Sequence, residues 1–281
     1  MKKIGTLLLL TLLLITSCGE DADPLLPSQL DTSTPDLSEL DKYIREEFVK
    51  PYNIRVQYVF DENEVAQERF LNPPRLESVK PALNILLTAW IAPYSEVAGE
   101  DFIKKIAPRE FTLIGSFNTN PSGTITLGLA EAGAKITLFN IDYLDFTDLN
   151  SINQPLRTVQ HEYGHILNQT RPIDPSYREI NPGNYTAQWF NRSDAEAREL
   201  GYITAYASSN SDEDFVEMIA EMLTNTREEF DALVNSINNL QARAIIRLKA
   251  TYIADYYQKS FGIDIYELQE VAHEKSQSLV N

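Results

Sequence analysis

The chain has 281 residues, 43% hydrophobic and 23% charged; this is globular composition with enough length for a substantial core, and it excludes collagen-like, low-complexity and largely disordered classes. Its 41 acidic against 24 basic residues leave a net charge of −17, which repels phosphate backbones and argues against nucleic-acid binding. A single cysteine excludes an intrachain disulfide and a cysteine metal cluster, and three histidines confine any histidine-based site to His161, His165 and His273.

The N-terminus reads as an export segment over residues 1–17. Lys2 and Lys3 precede a run from Leu7 to Ile15 that is apolar except for Thr11 and too short to span a bilayer. Ile15-Thr16-Ser17-Cys18 resembles a bacterial lipobox, which implies lipidation at Cys18 and anchoring by acyl chains. The acidic stretch Gly19 to Asp23 resembles the surface-export signal of Bacteroidetes lipoproteins. Residues 18–37 are rich in Asp, Pro, Ser and Thr without periodicity, as expected of a flexible acidic tether. Residues 38–281 show no internal linker and are expected to form one domain.

Leu37, Leu40, Ile44 and Phe48 recur at helical spacing over Ser38–Val49, with Pro51 expected to end that helix. Ile54, Val56, Tyr58 and Phe60 alternate with Arg55 and Gln57 as a half-buried strand. Leu83, Leu86, Leu87 and Trp90 mark a buried helix over 79–92. Phe111, Leu113 and Phe117 suggest a strand, and the turn-rich residues 118–123 lead to Ile125, Leu127 and Leu129 in a hairpin. Ile136 and Leu138 form one more short strand, and only helices and loops are expected from about residue 153. Strands followed by helices argue an α+β fold.

His161-Glu162-Tyr163-Gly164-His165 is an H-E-x-x-H motif. Residues four apart on a helix share a face, so both imidazoles can reach one metal, while Glu162 can take a proton from water activated there. Asn153 and Pro155 suggest the helix start, and Leu156, Val159, Tyr163, Ile166 and Leu167 an apolar face. Gly164 weakens the helix by about 1 kcal/mol relative to alanine unless close packing demands it. A catalytic zinc takes three protein ligands and water. Asn168 and Arg171 stand where the metzincin form needs Gly and His, so that form is excluded, and His273 is isolated. The third ligand is sought in Ser211–Glu217, where Ser211 and Asp214 suggest a helix start. Glu213 and Glu217 lie one turn apart there; Glu213 is preferred as ligand, with Glu217 accepting a hydrogen bond from a ligand histidine. Two imidazoles and one carboxylate suit Zn2+, whereas calcium or magnesium asks for more oxygens.

With Glu213-Asp214-Phe215-Val216-Glu217 following the first motif, the chain resembles the gluzincin-like metallopeptidases, including the catalytic domain of anthrax lethal factor. The lipobox at Cys18, the run His161 to Leu167 followed by Gln169, and the acidic helix at Glu213 are similar to the substrate import-associated zinc metallohydrolase lipoproteins of Bacteroidetes. This resemblance implies a zincin-like α+β fold: a small mixed sheet, the H-E-x-x-H helix and a helical C-terminal lobe. It implies zinc on His161, His165 and Glu213, Glu162 as general base, and an oxyanion contact from Tyr206, for which Tyr202 is the nearby substitute. It also implies an edge strand for extended substrate, from segment 124–129 or 134–140. The function expected is hydrolysis of a peptide or protein by a surface-exposed outer-membrane lipoprotein beside a TonB-dependent import complex. The alternative is a non-catalytic lipoprotein that captures peptides for import; Glu162 speaks against it, because capture needs no general base.

Overall fold

In the computed structural model, residues 36–60, 69–120, 123–126, 128–131 and 134–280 are described. The expectations for the export segment, Cys18, the tether before residue 36 and Leu127 lie outside them. Met1–Ser38 and Glu39–Asn281 separate as two units, and the second carries every helix and strand among the described residues.

The first helix, α1, is α-helical over Glu39–Ile44 and Lys50–Tyr52, with a π-helical turn over Arg45–Val49 between them. It buries Ile44 and Phe48 as expected. Pro51 does not stop it: the wide turn before the proline already breaks the regular ladder, and Asn53 ends the helix in the left-handed conformation, φ 55°. Strand β1 (Arg55–Gln57) is shorter than its alternation suggested, since Phe60 is exposed. Helix α2 runs over Leu76–Leu86 and Ala92–Ala98, joined by a π-turn over Leu87–Ile91. It carries Leu83, Trp90 and Tyr94 into the core. A short helix without a sequence counterpart, α3 (Asp101–Ile106), buries only Ile103.

Strands β2 (Glu110–Leu113), β5 (Gly128–Glu131) and β6 (Lys135–Leu138) join β1 in a mixed sheet of order β1-β2-β6-β5. The first two pairings are parallel and β5–β6 is antiparallel. Phe117 falls outside β2 and is 38% exposed. A hairpin forms, but not between the expected strands: its arms are β3 (Asn118–Thr119), inside the expected turn, and β4 (Ile125–Thr126), a separate two-stranded ribbon, while β2 pairs with β1 and β6. Segment 124–129 is thus split between ribbon and sheet. The segment around β6 is interior, and β5 ends the sheet among the described residues.

Helix α4 (Leu149–Thr170) carries the H-E-x-x-H motif. It starts four residues earlier than Asn153, because Asp148 accepts from the Asn150 and Ser151 amides as its cap. Pro155 therefore lies inside the helix, where its bulk is buried. The two middle residues of the motif fix the helix in place. Tyr163 packs edge-on against Trp90 and Tyr94, with centroids 5.1 and 5.2 Å away. Trp90 also meets Phe111 of β2 at 5.5 Å. Gly164 faces α6 (Ser211–Thr224), where an added Cβ would sit 3.0 Å from Val216 Cγ1 and 3.3 Å from Ile219 Cδ1. Its helix penalty is thus the condition for close packing of α4 on α6.

The cap of α6 is Asn210, which accepts from the Asp212 and Glu213 amides, rather than Ser211, the first helical residue. Helices α5 (Asp194–Glu199), α7 (Arg227–Ser236), α8 (Leu240–Phe261) and α9 (Ile265–Gln277) complete the helical C-terminal half. The whole is a mixed α+β fold. Among the described residues no helix is long and apolar enough to cross a membrane.

Candidate metal centre

The packing of α4 on α6 turns two histidines of one helix toward the first turn of the other. His161 Nε2 lies 3.1 Å and His165 Nε2 3.4 Å from Glu213 Oε2. One donor atom from each of the three residues falls within 4.8 Å of the others, and the described residues hold no second such group of His, Cys, Asp and Glu. His273 is remote from it on α9, with Gln277 as its neighbour.

The donor set fits a divalent cation. Glu213 Oε2 is buried, and despite those distances it receives no hydrogen bond of proper geometry. Burial raises the Glu213 carboxyl, but the two imidazoles outweigh it and hold its pKa at about 2. Burial lowers His161, but Glu213 and Glu217 outweigh that and raise it to about 10. Both shifts call for positive charge between the imidazole nitrogens and the carboxylate, which a cation supplies in place of a proton.

Glu217 does not enter this group. Its Oε1 lies 2.7 Å from His161 Nδ1. Burial opposes its ionisation, but Arg157 and His161 hold it well below the usual carboxylate range. An ionised carboxylate only accepts, so Nδ1 carries a hydrogen, and Nε2 is the nitrogen left to bind a cation shared with Glu213. Two residues that sequence reasoning missed hold Glu217 in turn. Thr204 Oγ1 donates to its Oε2 at 2.6 Å, and Arg157 Nη2 lies 3.1 Å from the same oxygen. Arg157 stands one helical turn before His161, the only sequence signal that could have pointed to it.

Glu162 is 7% exposed and opens onto the same cleft, of about 840 Å³. Burial raises its carboxyl, against the opposing pull of His161 and His165. Strand β5 approaches closely here: a Cβ on Gly128 would sit 2.1 Å from Thr158 Cγ2 and 3.6 Å from Glu162 Oε1. Across the cleft Tyr206 stacks on His161 at 5.7 Å and 22° and is backed by Trp189 at 4.9 Å. Burial first, then Glu213 and Glu162, raise its phenol, so the hydroxyl keeps its proton as a donor. Tyr202 is fully buried instead, its hydroxyl spent on the Asn181 carbonyl at 2.7 Å, and cannot take that place.

A family model described as "Putative zinc-binding metallo-peptidase" matches residues 33–266. A crystal structure described as a "putative zinc-binding metallo-peptidase from Bacteroides caccae ATCC 43185" is 31% identical, with a TM-score of 0.73 over 90% of this chain and 97% of that one. No curated protein matches the chain. The expected cofactor, zinc, agrees with the family's description and with the His161, His165 and Glu213 group. The chain belongs to this zinc-binding metallopeptidase family.

Proposed function

We propose that the protein is a gluzincin-type zinc peptidase with a zincin-like fold, in which His161, His165 and Glu213 hold the metal and Glu162 is the general base. The observation that carries this reading is the position of Glu162: buried, outside the ligand group, and facing the cleft beside it. When bound, zinc supplies a Lewis acid that acidifies water and polarises a carbonyl. Glu162 takes the proton of the attacking water and returns it to the leaving amine, so one water is consumed per amide bond broken. The Tyr206 hydroxyl donates to the developing oxyanion. Glu217 keeps His161 in the right tautomer. An extended peptide pairs along β5, whose end beside Glu162 brings its backbone to the base. The sequence of the motifs supports kinship with the lethal factor catalytic domain and with the Bacteroidetes import-associated lipoproteins.

The test is cleavage of a peptide library by the full chain, lost on chelation and restored by zinc. Tyr206→Phe should keep zinc and lower kcat by about 10²–10³-fold, the worth of one oxyanion donor. A kcat within about twofold of the unaltered chain would place that donor elsewhere. The lipobox-like run ending at Cys18 supports anchoring by acyl chains, the acidic run Gly19 to Asp23 supports exposure at the outer-membrane surface, and the resemblance to the import-associated lipoproteins supports a place beside a TonB-dependent importer. Cys18→Ala should then move the protein from the membrane to the soluble fraction; retention in the membrane would remove the anchor from the proposal.

A further inference from the structure

Beyond Glu217, Arg157 and Glu221 form the outer part of a cluster to which the proposed chemistry gives no role. Arg157 lies on α4 one turn before His161, and Glu217 and Glu221 lie one turn apart on α6. The guanidinium spans the two: Nη2 meets Glu217 Oε2 at 3.1 Å and Nη1 pairs with Glu221 Oε2. Both glutamates are buried, at 8% and 7% exposure. Like charges one turn apart repel, and the fork of Arg157 sets one positive charge between the two carboxylates. Asn225 Nδ2 donates to the other Glu221 oxygen at 3.2 Å, which steadies the far end of the bridge.

The near end reaches the metal centre. Glu217 Oε2 is held by Arg157 and by Thr204 Oγ1, which leaves Oε1 aimed at His161 Nδ1, 2.7 Å away. Thr204 Oγ1 also accepts from the Ala207 amide at 3.0 Å, so the same contact fixes the turn that carries Tyr206. We infer that Arg157 is a positioning residue of the metal centre, orienting His161 through Glu217. A lysine would keep the positive charge but lose the rigid fork whose two nitrogens meet the two carboxylates separately.

The inference rests on His161 being a zinc ligand. The experiment is the zinc dissociation constant of the full chain, by competition with a chelator. It is measured for the unaltered protein, Arg157→Met, Arg157→Lys, Glu217→Gln and the double variant of Arg157→Met with Glu217→Gln. Arg157→Met should weaken zinc binding by about 10–100-fold, as loss of a ligand's support does. In the Glu217→Gln background the same substitution should cost less than about twofold, because its route to His161 is already cut. Equal losses in both backgrounds would overturn the inference. Should Arg157→Met fail to fold, Arg157→Lys carries the test, since it keeps a buried cation. Weaker binding by roughly threefold or more supports the bridge, and unchanged affinity overturns it. An unaltered chain that binds no zinc would remove the ligand reading itself, an outcome distinct from tight binding that ignores Arg157.

Discussion

Glu162→Gln should retain zinc at the level of the unaltered chain and lose about 10²–10⁴-fold in kcat, the usual worth of a general base. The amide matches the carboxylate in size, and Glu162 contributes no atom to the group formed by His161, His165 and Glu213. In the proposed mechanism, what it removes is the capacity to hold a proton between attack and departure of the amine. Glu162 is 7% exposed, and burial disfavours its charge. The neutral variant should therefore be at least as stable as the unaltered chain, so lost turnover cannot be ascribed to unfolding. Parallel measurement of kcat, zinc content and Tm checks all three. A variant that keeps zinc and turnover would assign the base to another residue.

Lys249→Met should destabilise the fold by about 3–5 kcal/mol, the cost of breaking one side of a buried ion pair. At about 2 °C per kcal/mol for a domain of this size, that is a fall in Tm of about 6–10 °C. Lys249 and Asp214 are both fully buried, 2.6 Å apart. The ammonium also donates to the Gly201 carbonyl at 2.8 Å and lies over the Tyr202 ring at 4.3 Å. Burial pushes Asp214 up to about 6 even with Lys249 beside it. Without Lys249, ionised Asp214 would keep the Tyr185 hydroxyl, at 2.9 Å, but no cation. A carboxyl whose pKa is raised in the folded state favours the fold while protonated and opposes it once ionised. The deficit of the variant should accordingly grow as pH rises from about 5 to 8. Adding Asp214→Leu should recover most of the loss. Denaturant unfolding at both pH values decides, and a Tm unchanged by Lys249→Met would contradict the buried pair.

The motif helix was legible because its chemistry and its packing repeat at the same period. His161 and His165 share one face, while Leu156, Val159 and Tyr163 mark another. The Glu213 and Glu217 pair was legible for the same reason, and the structure turns one toward both imidazole Nε2 atoms and the other toward His161 Nδ1. Helix starts were read less well. The stretch Asp145 to Asn153 offers several capping side chains, and the one that accepts from the first amides of the helix is Asp148. The six-residue helix α3, with one buried apolar residue, has no periodicity to read. The roles of Arg157, Thr204 and Lys249 could not be read from sequence because their partners lie 60, 13 and 35 positions away and meet them only in the folded chain. In sequence Lys249 is one more cation in a helical run.

Zinc content tests the centre most directly. It is measured on the purified full chain, Glu213→Ala and Glu217→Ala after dialysis against a weak chelator. His161, His165 and Glu213 as ligands require zinc in the unaltered chain, near-complete loss in Glu213→Ala, and only weakened retention in Glu217→Ala. Zinc kept by Glu213→Ala and lost by Glu217→Ala would move the third ligand one helical turn and contradict the centre as described.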